Sequence, residues 1–262
     1  MIMHTHTTMT RPPCMTPDGG PAGGGLPTGG LHALLAWMSP SFPVGAYTYS
    51  HGLERVIEDG TVFDAATLYA WLDGVLRHGA GRSDAVLLVH AMSAATLGDE
   101  KAFRELLELS LALQPSSERR LEAGAQGDAF ASAVAAAWAP PLETAASRLF
   151  ARLTTGPDAV PRGGWTYCAA LAASAAAWGL PAGTVVSAGL HAFAANLVSA
   201  AVRAVPLGQT DGQRVLSRLG TTIRIVAGEA LLAPLSDIGG CAFAADIASM
   251  NHETQYTRLF RS

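Results

Sequence analysis

From Leu31 onward, apolar residues return at helical spacing almost without interruption. Leu31, Leu34, Leu35 and Met38 repeat at i, i+3, i+4 and i+7, and Pro40 ends that run. The loop Ser39-Pro-Ser-Phe-Pro-Val-Gly45 leads into a helix expected from about Thr48 to Glu58, closed by Gly60. Asp64 is placed to cap a helix carrying Leu68, Trp71, Leu72 and Val75, and Asp84 to open another with Val86, Leu87, Val89 and His90. Residues 101–113 set Phe103, Leu106 and Leu107 on one face against Glu and Arg on the other. Further helices are expected at about 117–138, 142–153, 165–178, 183–204 and 211–232. Period-two alternation is nearly absent: Thr221-Thr-Ile-Arg-Ile-Val226 is the one candidate strand, and helix signals surround it. The pattern predicts an all-α, single-domain bundle of about ten helices over residues 31–262.

Residues 1–30 read differently. Gly and Pro dominate 17–30, and the segment has too little apolar surface to offset its ordering entropy, so a disordered arm is expected. It lacks the basic start and apolar core of a secretory signal. Between Arg162 and Arg203 there is no Asp, Glu, Lys or Arg. A spanning helix needs about twenty mostly apolar residues, and Gly179-Leu-Pro181 leaves one helix too short and one of about that length. Thr184, Ser187, His191, Asn196 and Ser199 interrupt the longer one with polar groups. The centre of a helical bundle, or a helix–helix face, is therefore expected in preference to a membrane span.

Composition narrows the function. Of 262 residues, 49 % are hydrophobic and 15 % charged, with a net charge of −4, which suits a globular chain and argues against a nucleic-acid binder. Three widely spaced cysteines give no disulfide framework and no CxxC pair, in keeping with a reducing compartment. The single lysine, Lys101, has acids before it and no glycine cradle, so the chain carries no P-loop of its own. His252-Glu253 begins like HExxH, but Tyr256 stands where the second histidine should be, and no metal site is expected. Ser50, His51 and Glu54 do not make a hydrolytic set, because neighbours on a helix point about 100° apart, and a GxSxG elbow is missing. No catalytic residue and no cofactor is therefore assigned. The rival reading is an α-helical enzyme whose site is assembled from distant residues, which would need a deep pocket of perturbed acids or histidines.

Two segments carry the chemistry of surfaces. Phe42 to Glu54 packs Pro43, two glycines and three aromatics into one corner, the makings of a binding surface and equally of a packed internal corner. Residues 246–262 end in Gln255-Tyr-Thr-Arg-Leu-Phe-Arg261, a set of aromatic, leucine and arginine anchors of the kind enriched in interfaces. Gly239-Gly240 is a candidate hinge for that segment, whose removal is expected to leave the bundle folded.

Three stretches together resemble the urease accessory protein F (UreF) family: Leu34 to Glu54, Asn196 to Gln213 and Asp246 to Ser262. The resemblance runs from about Leu31 to the end and leaves the arm outside. It implies an all-helical cytosolic chaperone of urease maturation that forms a homodimer, binds the accessory protein UreD (also called UreH), recruits and regulates the GTPase UreG, and serves nickel insertion into apo-urease. Carried onto this sequence, it implies that His252, Glu253, Tyr256, Arg258, Leu259, Phe260 and Arg261 face UreD. It places Tyr47, Tyr49, Ser50, Gly52, Glu54 and Arg203 at the dimer or GTPase-facing surface.

Overall fold

The computed structural model describes residues 25–262, and the arm expected over 1–30 lies almost wholly outside them. Of its last six residues, Leu26 packs against the core and Gly30 already begins a helix. Among the described residues there are eleven α-helices and no strand. They are α1 (Gly30–Trp37), α2 (Leu53–Glu58), α3 (Ala65–His78), α4 (Ala80–Leu97), α5 (Glu100–Ala112), α6 (Ser117–Ala137), α7 (Ala145–Thr155), α8 (Tyr167–Ala177), α9 (Ala182–Ala204), α10 (Gln209–Ala230) and α11 (Phe243–His252).

Local chemistry accounts for most of the boundaries. Asp64 accepts from the Thr67 N–H at 2.8 Å, while the Thr67 hydroxyl oxygen accepts from the Asp64 N–H, a reciprocal cap that starts α3 as the sequence predicts. Thr144 and Ser147 repeat that reciprocal cap on α7, and the Asp99, Ser116 and Thr166 side chains accept a first-turn N–H to start α5, α6 and α8. Thr221–Val226 is helical within α10, where Thr222, Ile223 and Val226 share one buried face and packing overrides β propensity.

Two predicted starts are corrected. Asp84 does not open a helix: α4 starts four residues earlier, and only Gly79 separates it from α3. The expected helix over 48–58 is broken. Ala46–Thr48 forms a short 3₁₀ turn, Tyr49 is extended, and both His51 and Gly52 take positive φ before α2 begins at Leu53.

The charge-free stretch forms the centre. Every residue from Cys168 to Ala177 is buried, so α8 is enclosed on all sides by α4, α6 and α7. Small residues permit that closeness: a Cβ added at Gly127 on α6 would lie 2.6 Å from the Trp165 and Thr166 carbonyl carbons. Helix α9 is long and apolar enough to cross a membrane, and here it packs on α10, α4, α2 and α3 with a little under half of its apolar window buried. At one end of the bundle, Trp37 meets Phe130, Trp138 and Trp178 edge-on.

Candidate functional site

The corner after α1 and the last residues of the chain, predicted as two surfaces, form one body. Helix α11 crosses α2 so closely that a Cβ on Gly52 would lie 2.6 Å from the Ser249 nitrogen. Beyond α11 the chain folds back over α2. The Glu54 carboxylate accepts the main-chain N–H groups of Leu259 at 2.7 Å and Phe260 at 3.0 Å. The Arg261 N–H donates to the Thr48 carbonyl at 2.8 Å, and the Ser50 hydroxyl donates to the Ser262 carbonyl at 2.6 Å. Arg203, at the end of α9, donates to the Tyr47 carbonyl at 2.7 Å and lays its guanidinium 4.6 Å from the Phe260 ring centroid.

Beneath this strap runs a buried polar network. His252 is fully buried between two acids, with Nδ1 2.7 Å from Glu118 and Nε2 3.2 Å from Glu54. Arg258 closes over the other Glu118 oxygen. One turn along α6, Glu122 pairs with Arg119 and accepts from His51 Nε2 and Gln126, each at 2.7 Å, and from the Ser262 hydroxyl. Burial alone would raise the Glu122 carboxyl, but Arg119, His51 and Ser262 hold it at about 2. Burial and the Arg119 charge push His51 below its ordinary value, so its ring is neutral and its Nε2 proton faces Glu122. Glu253 caps α6 from outside through the Ser117 N–H at 2.7 Å, which lowers its carboxyl.

The site residues named from sequence thus fall into two sets. Tyr49, Ser50, Gly52, Glu54, His252 and Phe260 are buried and hold the strap to the bundle. Tyr47, Tyr256, Arg258, Leu259, Arg261 and Arg203 are exposed, with Glu253 half-buried. Tyr256 is completely exposed and Leu259 is 70 % exposed. On α11, Phe243, Ile247 and Met250 also stand outward, spaced four and three residues apart on one helical face. Ser50 lies two residues before Gly52, the cap position of α2, yet its hydroxyl oxygen accepts from the first-turn Glu54 N–H at 3.3 Å while its proton goes to Ser262. Gly239, at φ 129°, sits in a conformation suited to glycine, but Cys241 and Ala242 are tied directly to the His78 carbonyl. Residues 246–262 are therefore part of the bundle and not a separable extension.

Sequence reading missed Glu118, Arg119 and Glu122, which look like the polar side of an ordinary surface helix. Glu118 meets His252 and Arg258, 134 and 140 positions away, and Glu122 meets His51 and Ser262, 71 and 140 positions away, so apart from the Arg119–Glu122 pair no local pattern marks the network. It also missed a cavity of about 460 Å³ whose wall includes Trp37, His51, Asp84, Arg119, Glu122 and Cys168. Burial raises Asp84 to about 6 and pushes the Cys168 thiol far up. The perturbed acid and histidine that an enzyme reading requires are thus present. The Ser50 hydroxyl donates to Ser262, burial keeps the Cys168 thiol protonated, and His51 Nε2 is engaged by Glu122. Among the described residues no three His, Cys, Asp or Glu are grouped to hold a metal ion.

An all-helical bundle that bears an anchored strap with apolar and aromatic side chains standing outward has the makings of a protein that acts through surfaces. Comparison with known proteins gives the family: the UreF family model matches residues 62–220. The chain is 46 % identical over 232 residues to the urease accessory protein UreF of Rhodopseudomonas palustris (strain BisB18), covering 88 % of this chain and 92 % of that protein. It is equally similar, over 233 residues and 88 % and 92 % of the two chains, to the UreF of Bradyrhizobium sp. (strain BTAi1 / ATCC BAA-1182). For the UreF of Methylobacterium sp. (strain 4-46) the identity is 46 % over 230 residues and 87 % of each chain. The chain belongs to the UreF family of urease accessory proteins.

Proposed function

We propose that this chain is a non-catalytic scaffold in urease maturation. It works as a cytoplasmic homodimer that binds UreD (UreH) and recruits and regulates the GTPase UreG, so that nickel is inserted into apo-urease. The family membership supports the accessory role. The observation that carries the partner assignment is the set of exposed side chains, Phe243, Ile247 and Met250 on α11 and Tyr256 and Leu259 beyond it, on a segment whose main chain the Glu54 carboxylate holds at Leu259 and Phe260. A rigid backbone presenting aromatic and leucine side chains loses little entropy on docking, as interface anchors require. Arg258 and Arg261 supply polar groups beside them, while Arg203, bonded to the Tyr47 carbonyl and stacked on Phe260, ties the corner to the strap. Nickel is cargo in this reading, and GTP hydrolysis belongs to the partner, since the chain has no P-loop.

The test is co-purification with UreD of the full chain against Tyr256→Ala and Leu259→Ala. Both side chains are exposed, so both variants are expected to melt with the parent while capture falls about tenfold or more. Full-strength capture by the double variant sinks the assignment of UreD to this surface. Size-exclusion chromatography of the chain with UreD and UreG reads the homodimer and the recruitment step.

A further inference from the structure

Two histidines lie in the polar network under the strap, and their partners give them different proton counts. His51 meets one carboxylate, Glu122 at Nε2, with the Arg119 guanidinium on the same acid, and its ring is neutral. His252 meets a carboxylate at each nitrogen: Glu118 of α6 lies 2.7 Å from Nδ1 and Glu54 of α2 lies 3.2 Å from Nε2. An ionised carboxylate only accepts, and a neutral imidazole has one N–H and one lone pair. A neutral His252 would therefore turn its lone pair onto a carboxylate oxygen, in a ring that is fully buried. The remaining charges around the ring agree with a second proton. Arg258 of the strap closes over the other Glu118 oxygen. With both acids ionised, Glu54, Glu118, Arg258 and His252 sum to zero when the ring carries two protons and leave a net negative charge when it carries one. The neighbouring charges on the same elements are engaged elsewhere. Arg119 pairs with Glu122, Arg55 of α2 with Glu58 and Asp59, and Glu253 caps α6 through Ser117.

We propose that His252 is held as the imidazolium in the folded chain and that its Nε2 proton fastens the strap, so that the segment after α11 opens as pH rises. Nε2 makes the longer of the two bonds, so it is the position that gives up its proton while Nδ1 keeps its bond to Glu118. The acid then left facing a lone pair is Glu54, and its two oxygens are the ones that accept the Leu259 and Phe260 N–H groups. Repulsion at the ring thus acts directly on the anchor of the strap. Glu122 reaches the strap through Ser262, but its carboxyl sits at about 2 and stays ionised over this range. The inference concerns the chain alone and holds whichever partner the strap meets.

Nitrogen-15 NMR of the full chain, with its histidines labelled and no partner present, tests it. At about pH 7 both His252 ring nitrogens are expected to carry protons, against one for His51. As pH is raised toward about 10, Nε2 is expected to lose its proton. In step with that loss, the protection of the Leu259 and Phe260 amides, corrected for the intrinsic rise of exchange with pH, is expected to fall about tenfold or more. In His252→Gln, which cannot donate to both acids and does not titrate, protection of the two amides is expected to be low at pH 7 and independent of pH over that range. Should His252→Gln not fold, the ring signals and amide protection of the parent decide alone. An unprotonated His252 ring nitrogen at about pH 7, a second proton retained up to about pH 10, or amide protection that does not follow the ring overturns the proposal.

Discussion

The Phe260 main-chain N–H donates to the Glu54 carboxylate at 3.0 Å across 206 positions of sequence, and through that bond the end of the chain is stitched to its first turns. The same carboxylate holds Leu259 and faces His252. Glu54→Ala therefore leaves two N–H groups and a buried ring without their acceptor. Loss of one member of such a buried set costs on the order of 3 kcal/mol. Urea unfolding is the measurement, and UreD capture should fall with stability because the strap loses its anchor. A loss under about 1 kcal/mol shows that the strap is held by other contacts.

Removing residues 253–262 tests the strap as a unit. The truncation takes the acceptor from Ser50, the hydroxyl of Ser262 from Glu122, the Arg258 partner from Glu118 and the Glu253 cap from α6. It also uncovers the site of Phe260, which is 5 % exposed. Burial of a phenylalanine alone is worth about 2 kcal/mol, so the truncated chain is expected to melt well below the parent. An unchanged melting temperature restores the separable segment that the sequence suggests.

These relationships mark how far the sequence can be read. Helical periodicity located nearly every helix, because the 3.6-residue repeat and residues such as Asp64 and Gly60 act within a few positions. The break before α2 escaped it: His51 and Gly52 take positive φ where α11, almost two hundred residues away in sequence, crosses Gly52. The aromatic corner and the terminal anchors stood out by residue type, yet nothing local said that they touch. Glu118, Arg119 and Glu122 were invisible as a network for the same reason, since exposed and buried charges follow the same helical pattern.

Gly52 gives a test of that crossing. Its φ of 75° strains any side chain, and a Cβ would also lie 2.6 Å from the Ser249 nitrogen and 2.9 Å from the Ala248 carbonyl carbon. Backbone atoms cannot swing aside as a side-chain tip can. Gly52→Ala is expected to cost about 3 kcal/mol and to loosen α11, read as faster amide exchange over 246–252. Gly60, at φ 72° with open space around it, serves as the control, where Ala is expected to cost about 1 kcal/mol.

Asp84 and the pH dependence of stability form a third case. Its carboxyl is raised to about 6 in the folded chain from an ordinary 3.8. Below pH 4 both states are protonated and the group contributes nothing. Between about 4 and 6 the unfolded chain ionises first, so stability falls as pH rises, and above 6 the full cost persists. With the group partly solvated, that cost is on the order of 2 kcal/mol. Asp84→Asn is expected to stabilise the chain by about that much at pH 7.5 and to change little at pH 4. Equal effects at both pH values mean that the carboxyl is not perturbed.

Glu122 produces the opposite slope. Its folded carboxyl sits at about 2, against an ordinary 4.5, so its contribution is complete above pH 4.5 and disappears as pH falls toward 2. In Glu122→Gln the amide can still meet His51 or Ser262, but Arg119 loses its counter-charge in a site where the arginine is 7 % exposed. An uncompensated buried guanidinium costs on the order of 3 kcal/mol. The variant is therefore expected to lose that much at pH 7 and to show a shallower decline between pH 4.5 and 2 than the parent. Because Ser262 donates to Glu122 and also holds Ser50, the loss should loosen the strap and weaken UreD capture even though Glu122 is itself buried. Urea unfolding across that pH range, run beside the capture assay, separates the two effects. If the acid slope is unchanged, Glu122 is not the group whose protonation unfastens this end of the chain.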